Sequence, residues 1–373
     1  MNIVIIGTAF PLRGGIAHYN ALLAEALSVR HSVRTITFKR QYPSFLFPGK
    51  TQEESGDEPK VGPAPQLVDS INPMNWIRVG KQIRREAPDL LIFKYWLPFF
   101  GPCFGTIARW ARKNKKTRIF FICDNVIPHE HRPGDRAFTR YAFGAVDGFI
   151  VQSGAVEKDL SQFWPGARFK NVPHPVYNIF GESLPKEVAR KQLNIEKKNI
   201  LLFFGYVRKY KGLNVLLDAM PQILEKIDLT LMVVGEFYDD EQKYRSQIAK
   251  LGLKKNVIIK SDYVPNEEVG KYFSAADVVI LPYLSATQSG IAQIAYNFDK
   301  PVIATDVGGL SEVVLHEKTG FVVSPNNPAT LAEGVVRFYQ EKKESSFVPI
   351  VREEKKKYTW DALVKAIEEL AQA

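Results

Sequence analysis

The chain has 373 residues, 45% of them hydrophobic, enough to fill two cores of ordinary size. Its 50 lysines and arginines against 40 aspartates and glutamates leave a net charge of +10, which favours anionic partners without choosing among nucleotide sugar, anionic lipid and nucleic acid. Two cysteines, Cys103 and Cys123, argue against a disulfide framework or a zinc cluster, and no run of eighteen apolar residues reads as a membrane span.

The opening "MNIVIIGT" is an apolar run that ends at a glycine, without the basic region or cleavage site of a signal peptide, so a cytoplasmic protein is expected. "FPLRGGIAH" follows, and apolar residues then recur at helical spacing through Leu22, Leu23, Ala26 and Leu27, giving strand, glycine loop and helix. "HSVRTITF" reads as the next strand. Residues 41–75, rich in proline and lacking periodicity, read as a long loop. Further strands are expected at 89–96, 118–125, 147–153, 199–205, 229–236, 256–261, 277–283 and 301–306, with helical patterns between most of them. Nearly continuous apolar strands alternating with helices predict an α/β fold of two Rossmann-like domains with parallel sheets covered on both faces. The lysine-rich stretch 181–199 marks the expected boundary, giving domains at 1–180 and 190–355. The final segment, 356–373, is an amphipathic helix with Trp360, Leu363, Ile367 and Leu370 on one face, and it can return to the first domain.

Ligands of parallel sheets sit beyond the carboxyl ends of the strands, and several segments follow such ends. Gly14 and Gly15 precede a helix whose bare N–H groups can receive a phosphate, although this is not the dinucleotide fingerprint G-x-G-x-x-G. "FFGYVRKYKG" sets Arg208 and Lys211 just beyond Gly205, where a guanidinium fork and an ammonium can meet one diphosphate; a solvated basic turn is the alternative. Gln288, Ser289 and Gly290 stand between strand and helix, as donors or as an ordinary cap. Gly309 lies in a close-approach turn, and Glu312 behind it can accept from a hydroxyl. In the first half, "ICDNVIPHEHRPGD" carries Asp124, His129 and Glu130, either a reactive loop or a polar turn. No Asp-x-Asp occurs, Asp239, Asp240 and Glu241 read as the acidic first turn of a helix, and the histidines lack metal-ligand spacing, so no metal is expected. Residues 95–118 join Trp96, Phe99, Phe100, Phe104 and Trp110 to a basic cluster. That composition fits an interfacial helix on anionic lipid, although a core helix with a basic outer face is the commoner explanation.

Together "PLRGGIAHYNALLAEAL", "FFGYVRKYKGLNVLLDAMP", "VVGE", "YFSAADVVILPY" and "KPVIATDVGGLSEVVLHEKTGFVV" resemble, in order and spacing over nearly the whole chain, the GT-B fold glycosyltransferases of family 4 (group 1) that act in cell-surface glycan and polysaccharide assembly at the cell envelope. The resemblance implies an opening between two domains. It implies a nucleoside diphosphate sugar (UDP- or GDP-sugar) as donor, held mostly by the second domain, no further cofactor, and a glycan or lipid-linked acceptor on the first. It further implies retaining transfer of a hexose, with Arg208 and Lys211 neutralising the departing diphosphate. His129 or Asp124 would orient donor or acceptor, with Glu130 next. Gly14, Gly15, Gly205, Gln288, Ser289, Gly290, Gln293, Gly309 and Glu312 would bind the donor. Peripheral contact with the inner face of an anionic membrane is expected, and nucleic-acid binding is not. Two departures stand out. Many relatives carry arginine directly after the strand-ending glycine, where this chain has Tyr206. The paired glutamates of E-x7-E are replaced by Ala286 or Thr287 and by Gln293 or Ile294. A nonhydrolytic sugar-nucleotide epimerase and a noncatalytic nucleotide-sugar-binding protein are the rival readings.

Overall fold

The computed structural model describes residues 1–43, 64–128 and 132–372, which form two units. Unit 1 is Met1–Pro173 with Thr359–Ala373, and unit 2 is His174–Tyr358. Each is built on one parallel sheet.

In unit 1 the strands are β1 (Asn2–Ile6), β2 (Ser32–Arg40), β3 (Gln66–Asp69), β4 (Leu90–Tyr95), β5 (Arg118–Cys123), β6 (Gly148–Val151) and β7 (Phe169–Asn171), in the spatial order β3-β2-β1-β4-β5-β6-β7. In unit 2, β8 (Ile200–Phe204), β9 (Thr230–Val234), β10 (Val257–Lys260), β11 (Val278–Leu281), β12 (Val302–Thr305) and β13 (Gly320–Val323) lie in the order β10-β9-β8-β11-β12-β13. Both sheets start in the middle and wind outward in both directions. The strand order therefore reverses beside β1 in unit 1 and beside β8 in unit 2, and the crevice at such a reversal is where ligands of open parallel sheets bind.

The central strands are legible because both faces are covered: every residue of β4, β9, β11 and β12 is buried. The strands β3, β7 and β13 escape the sequence reading. Each lies at a sheet edge and has only three or four residues, too few for a periodic signal. Part of the expected loop 41–75 is thus an edge strand, followed by a helix that starts at Pro73 and is capped by the Asn72 side chain. Residues 44–63 of that loop lie outside the described residues.

The 181–199 stretch is structured within unit 2. It carries the helix Lys186–Gln192, whose Arg190 pairs with buried Asp277 at 2.8 Å. Asp277 also accepts from Lys186 at 2.6 Å and from the Ile200 amide at 2.6 Å, which fastens this helix to the start of β8. Chain division falls instead between Pro173 and His174. The helix Trp360–Gln372 joins unit 1: Leu363, Ile367 and Leu370 are buried, Trp360 lies 5.2 Å from the Tyr19 ring, and Leu370 fills the space beside Gly148 of β6.

The aromatic run of 95–118 belongs to the core. Trp96, Phe100 and Phe104 are buried and pack on one another and on Phe38, while Phe99 stacks on Tyr42 with centroids 5.9 Å apart. The exposed residues of the segment are at its basic end: Arg112, Lys113, Lys115, Lys116 and Arg118. No helix among the described residues is long and apolar enough to cross a membrane.

Candidate active site

At the reversal in unit 2, β8 ends at Gly205, and the chain then runs through Tyr206 and Val207 into a single turn, Lys209–Lys211. Val207 continues the parallel pairing with Phe237 beyond β9: its amide donates to the Glu236 carbonyl at 2.9 Å, and the Tyr238 amide donates to the Val207 carbonyl at 3.0 Å. The turn closes at Gly212, whose φ of +69° suits glycine, and a Cβ there would lie 1.9 Å from the Pro282 carbonyl oxygen. The loop after β8 thus lies against the loop after β11, and the Leu284 amide donates to the Tyr210 carbonyl at 2.6 Å.

This packing buries Lys211, which is 8% exposed, while Arg208 stays exposed. The Lys211 ammonium lies against the strand end, where a Cβ on Gly205 would be 3.1 Å from Nζ and 3.1 Å from Cδ1 of Ile291 in the first turn of the helix Gly290–Asn297. Its Nζ also lies 5.7 Å from the Tyr283 ring. Burial, and secondarily the like charge of Arg208, pulls the Lys211 pKa down from its ordinary range to about 7. Among the described residues neither cation has a carboxylate partner. Arg208 instead lies over the Tyr238 ring, 5.0 Å from its centroid. Two uncompensated cations at a strand-end crevice form a site for an anion.

The loops after β11 and β12 complete this edge. Ser289 is the N-cap residue of Gly290–Asn297 but makes no side-chain capping bond; its Oγ lies 3.4 Å from the Tyr283 hydroxyl. Gly290 faces the Tyr177 ring, which a Cβ would meet at 3.3 Å. Gly308 approaches so closely that a Cβ would fall 1.7 Å from the Ala286 carbonyl oxygen, and the Gly309 amide donates to the Thr287 carbonyl at 3.0 Å. Gln288 lies half-buried in this loop, and Glu312 is exposed on the short helix Leu310–Val313. The structure therefore brings together Gly205, Lys211 and the start of the 290–297 helix, and ties Ala286 and Thr287 to Gly308 and Gly309. Gln293 is different. It is 0% exposed, and neither amide atom has a hydrogen-bond partner among the described residues.

In unit 1, Gly14 takes a φ of +113° and its carbonyl accepts from the Ala17 amide at 2.9 Å, which leaves the Gly14–Gly15 turn at the head of the helix Gly15–Ser28, with Gly15 exposed. Asp124 follows β5 and is held by Lys94 of β4, its Oδ1 2.6 Å from Nζ. Lys94 is 1% exposed, lies 3.4 Å from the Tyr19 ring centroid, and donates to Gln152 Oε1 at 3.2 Å. Burial lowers the Lys94 pKa, and Asp124 opposes that shift. Asp124 is thus the counter-ion of an interior lysine, a role the sequence reading did not give it. His129 and Glu130 lie outside the described residues. The lone lysine inside the apolar run "DLLIFKYW" was the available signal for this network. Elsewhere, Asp240 caps the helix Glu241–Lys250 and Asp239 accepts from the Tyr244 hydroxyl, and among the described residues no three metal-ligating side chains converge.

Comparison with known proteins fits this geometry. Residues 185–347 match the family Glycosyl transferases group 1. The chain resembles these enzymes, and the match coincides with unit 2 and its cationic site. An uncharacterized glycosyltransferase of Methanocaldococcus jannaschii is 31% identical over 182 residues, 47% of this chain and 45% of that protein. The chain matches less than half the length of the first curated relatives. Sucrose-phosphate synthase from Thermosynechococcus elongatus superposes with a TM-score of 0.73 at 20% identity, covering 100% of this chain and 98% of that one. Anabaena HepE in complex with UDP and glucose superposes with a TM-score of 0.75 at 18% identity, covering 99% and 98%. These likenesses show the fold: two Rossmann-like parallel-sheet domains of the GT-B glycosyltransferase type.

A buried ammonium without a carboxylate weakens the unliganded fold. Because the folded pKa lies near 7 and the unfolded one near 10.5, unfolding takes up a proton between those values. The cost is therefore full below about pH 7 and fades as pH rises to the unfolded value. Lys211→Met should raise stability by on the order of a few kcal/mol at pH 6 and by progressively less above pH 8, measured by urea unfolding at each pH. Equal stability of the two proteins across that range would contradict the burial of an unpaired charge.

Proposed function

We propose that the chain is a glycosyltransferase that moves a hexose, with retention, from a nucleoside diphosphate sugar to a glycan or lipid-linked acceptor in cell-envelope polysaccharide assembly. The observation that carries this reading is the pair of cations without carboxylates, Lys211 buried and Arg208 exposed, at the strand-order reversal of the unit that matches the group 1 family. The complex of Anabaena HepE with UDP and glucose supports a nucleotide-sugar donor by analogy of fold.

As the glycosidic bond lengthens, negative charge grows on the departing diphosphate. Arg208 and Lys211 then favour the transition state over the ground state, and fixed charges of this kind supply a large part of the rate effect. The Ser289 and Gly290 amides at a helix start would add donors to the same anion, with Gly205 leaving room for close approach. Gln288, Gly309 and Glu312 would contact the sugar and ribose. Gln293, sealed in the interior, would act only through the packing of its helix. In unit 1, Gly14 and Gly15 offer amides at the head of the helix Gly15–Ser28. His129 or Asp124, with Glu130 next, would orient donor or acceptor, and Asp124 is fixed by Lys94.

Lys211→Ala should lower acceptor-dependent nucleotide release from a panel of UDP- and GDP-hexoses by roughly two to three powers of ten. Full turnover by the folded variant would reduce the turn to a solvated loop. Conversion of the donor without acceptor would favour the epimerase, and binding without nucleotide release would favour a noncatalytic protein.

On this reading a lipid-linked acceptor would approach one face of unit 1. Met74, 81% exposed, starts a helical stripe with exposed Arg78, Lys81 and Arg85; Lys81 and Lys113 flank the Trp110 ring at 5.0 and 3.6 Å; Phe138 and Tyr141 are exposed on the neighbouring helix Asp135–Phe143. Cations around half-buried aromatic rings suit an anionic lipid surface. Replacing Lys113, Lys115 and Lys116 with alanine should weaken binding to phosphatidylglycerol vesicles by about 1 kcal/mol per residue near the surface. Unchanged sedimentation with vesicles at low salt would remove the membrane from the account.

A further inference from the structure

Arg208 is exposed, and an arginine side chain free in solvent keeps many rotamers, so a guanidinium that must meet a diphosphate needs something to hold it. Its backbone already restricts the choice. Val207 is fully buried and Phe237 packs on the core of unit 2, and the two are paired in parallel. Side chains alternate along such a pair, so Tyr206 and Arg208 on one strand and Tyr238 on the other project to the opposite face, away from that core. On that face the Tyr206 and Tyr238 rings lie 4.5 Å apart at an interplanar angle of 32°, and the Arg208 guanidinium lies 5.0 Å from the Tyr238 centroid. Tyr206 and Tyr238 are both half-buried.

We infer that Tyr238 is a positioning residue: backed by Tyr206, its ring holds the Arg208 guanidinium toward the anion site that Lys211 shares. The arrangement makes sense of the departure at Tyr206. The resemblance to group 1 glycosyltransferases implies, for many of them, an arginine directly after the strand-ending glycine. Here that position carries the ring that supports Tyr238, and the guanidinium arrives two residues later from outside the strand. After burial, the like charge of Arg208 is the second cause that lowers the Lys211 pKa, which is the electrostatic trace of their proximity. A ring face attracts a cation through its quadrupole while leaving the N–H fork open, which a carboxylate partner would occupy; the cation is oriented and remains available to an anion.

This inference rests on the donor-site reading, and calorimetric titration of the full chain with UDP and with GDP separates the two. Tyr238→Leu should weaken nucleotide binding roughly threefold to thirtyfold, the range that a cation–π contact spans between exposed and desolvated settings. Tyr238→Phe, which keeps the ring and loses only the hydroxyl, should bind within about twofold of the parent on the same grounds. In an Arg208→Ala background, Tyr238→Leu should cost nothing further, since the ring then has no cation to hold. Thermal midpoints of all variants would confirm that they are folded. The inference is overturned if Tyr238→Leu binds as the parent does, or if it costs the same with and without Arg208, which would place the ring on the ligand itself. It is also overturned if Phe fails to replace Tyr. Failure of the parent chain to bind either nucleotide would instead sink the donor-site reading, and this inference with it, before any variant is compared.

Discussion

A single buried ammonium organises unit 2. Placing Lys211 under the end of β8 without a carboxylate costs solvation that nothing in the unliganded unit repays, and the chain nonetheless holds it there by close backbone packing. Gly212 lets the turn lie on the Pro282 carbonyl, Gly205 leaves room for the ammonium, and the Gly308 turn presses on Ala286 to fix the loop after β11. The Gly212 and Gly308 contacts are backbone against backbone, where a side chain would not fit. The result is a buried ammonium at the end of β8 with no carboxylate beside it among the described residues.

Lys94 supplies the control within the same molecule. It too is a buried lysine at the centre of a parallel sheet, and its pKa is also lowered by burial, yet Asp124 and Gln152 satisfy it. A lysine whose charge is met from within is part of the scaffold, and one left unmet is prepared for an anion. The contrast is why the proposed donor site is placed in unit 2, while Asp124 serves as the counter-ion of Lys94 in unit 1.

The sequence made the central strands and the site's charges legible, because buried parallel strands leave apolar runs and strand-end glycines mark their exits. Arg208 and Lys211 were visible as cations between two glycines. The burial of one and exposure of the other were not, since that depends on the loop after β11, some seventy residues away in sequence. Tyr238 carried no signal at all: it joins Arg208 only through the pairing of Val207 with Phe237. The aromatic run 95–118 admits two readings in sequence for a related reason. Composition at an interface and composition in a core are the same, and only the packing of Trp96, Phe100 and Phe104 against Phe38 separates them. Edge strands and the folded linker helix Lys186–Gln192 were hidden by brevity and by a polar outer face whose inward-facing Arg190 is spent on Asp277.

The most direct test is the ionisation of Lys211 itself, read from the side-chain carbon and nitrogen shifts of isotopically labelled lysine by NMR, with Lys211→Met to assign the signal. The account predicts titration near pH 7 in the free protein and a strong upward displacement when UDP or GDP is bound, because an anionic diphosphate stabilises the charged form. Titration in the ordinary lysine range with no response to either nucleotide would contradict it.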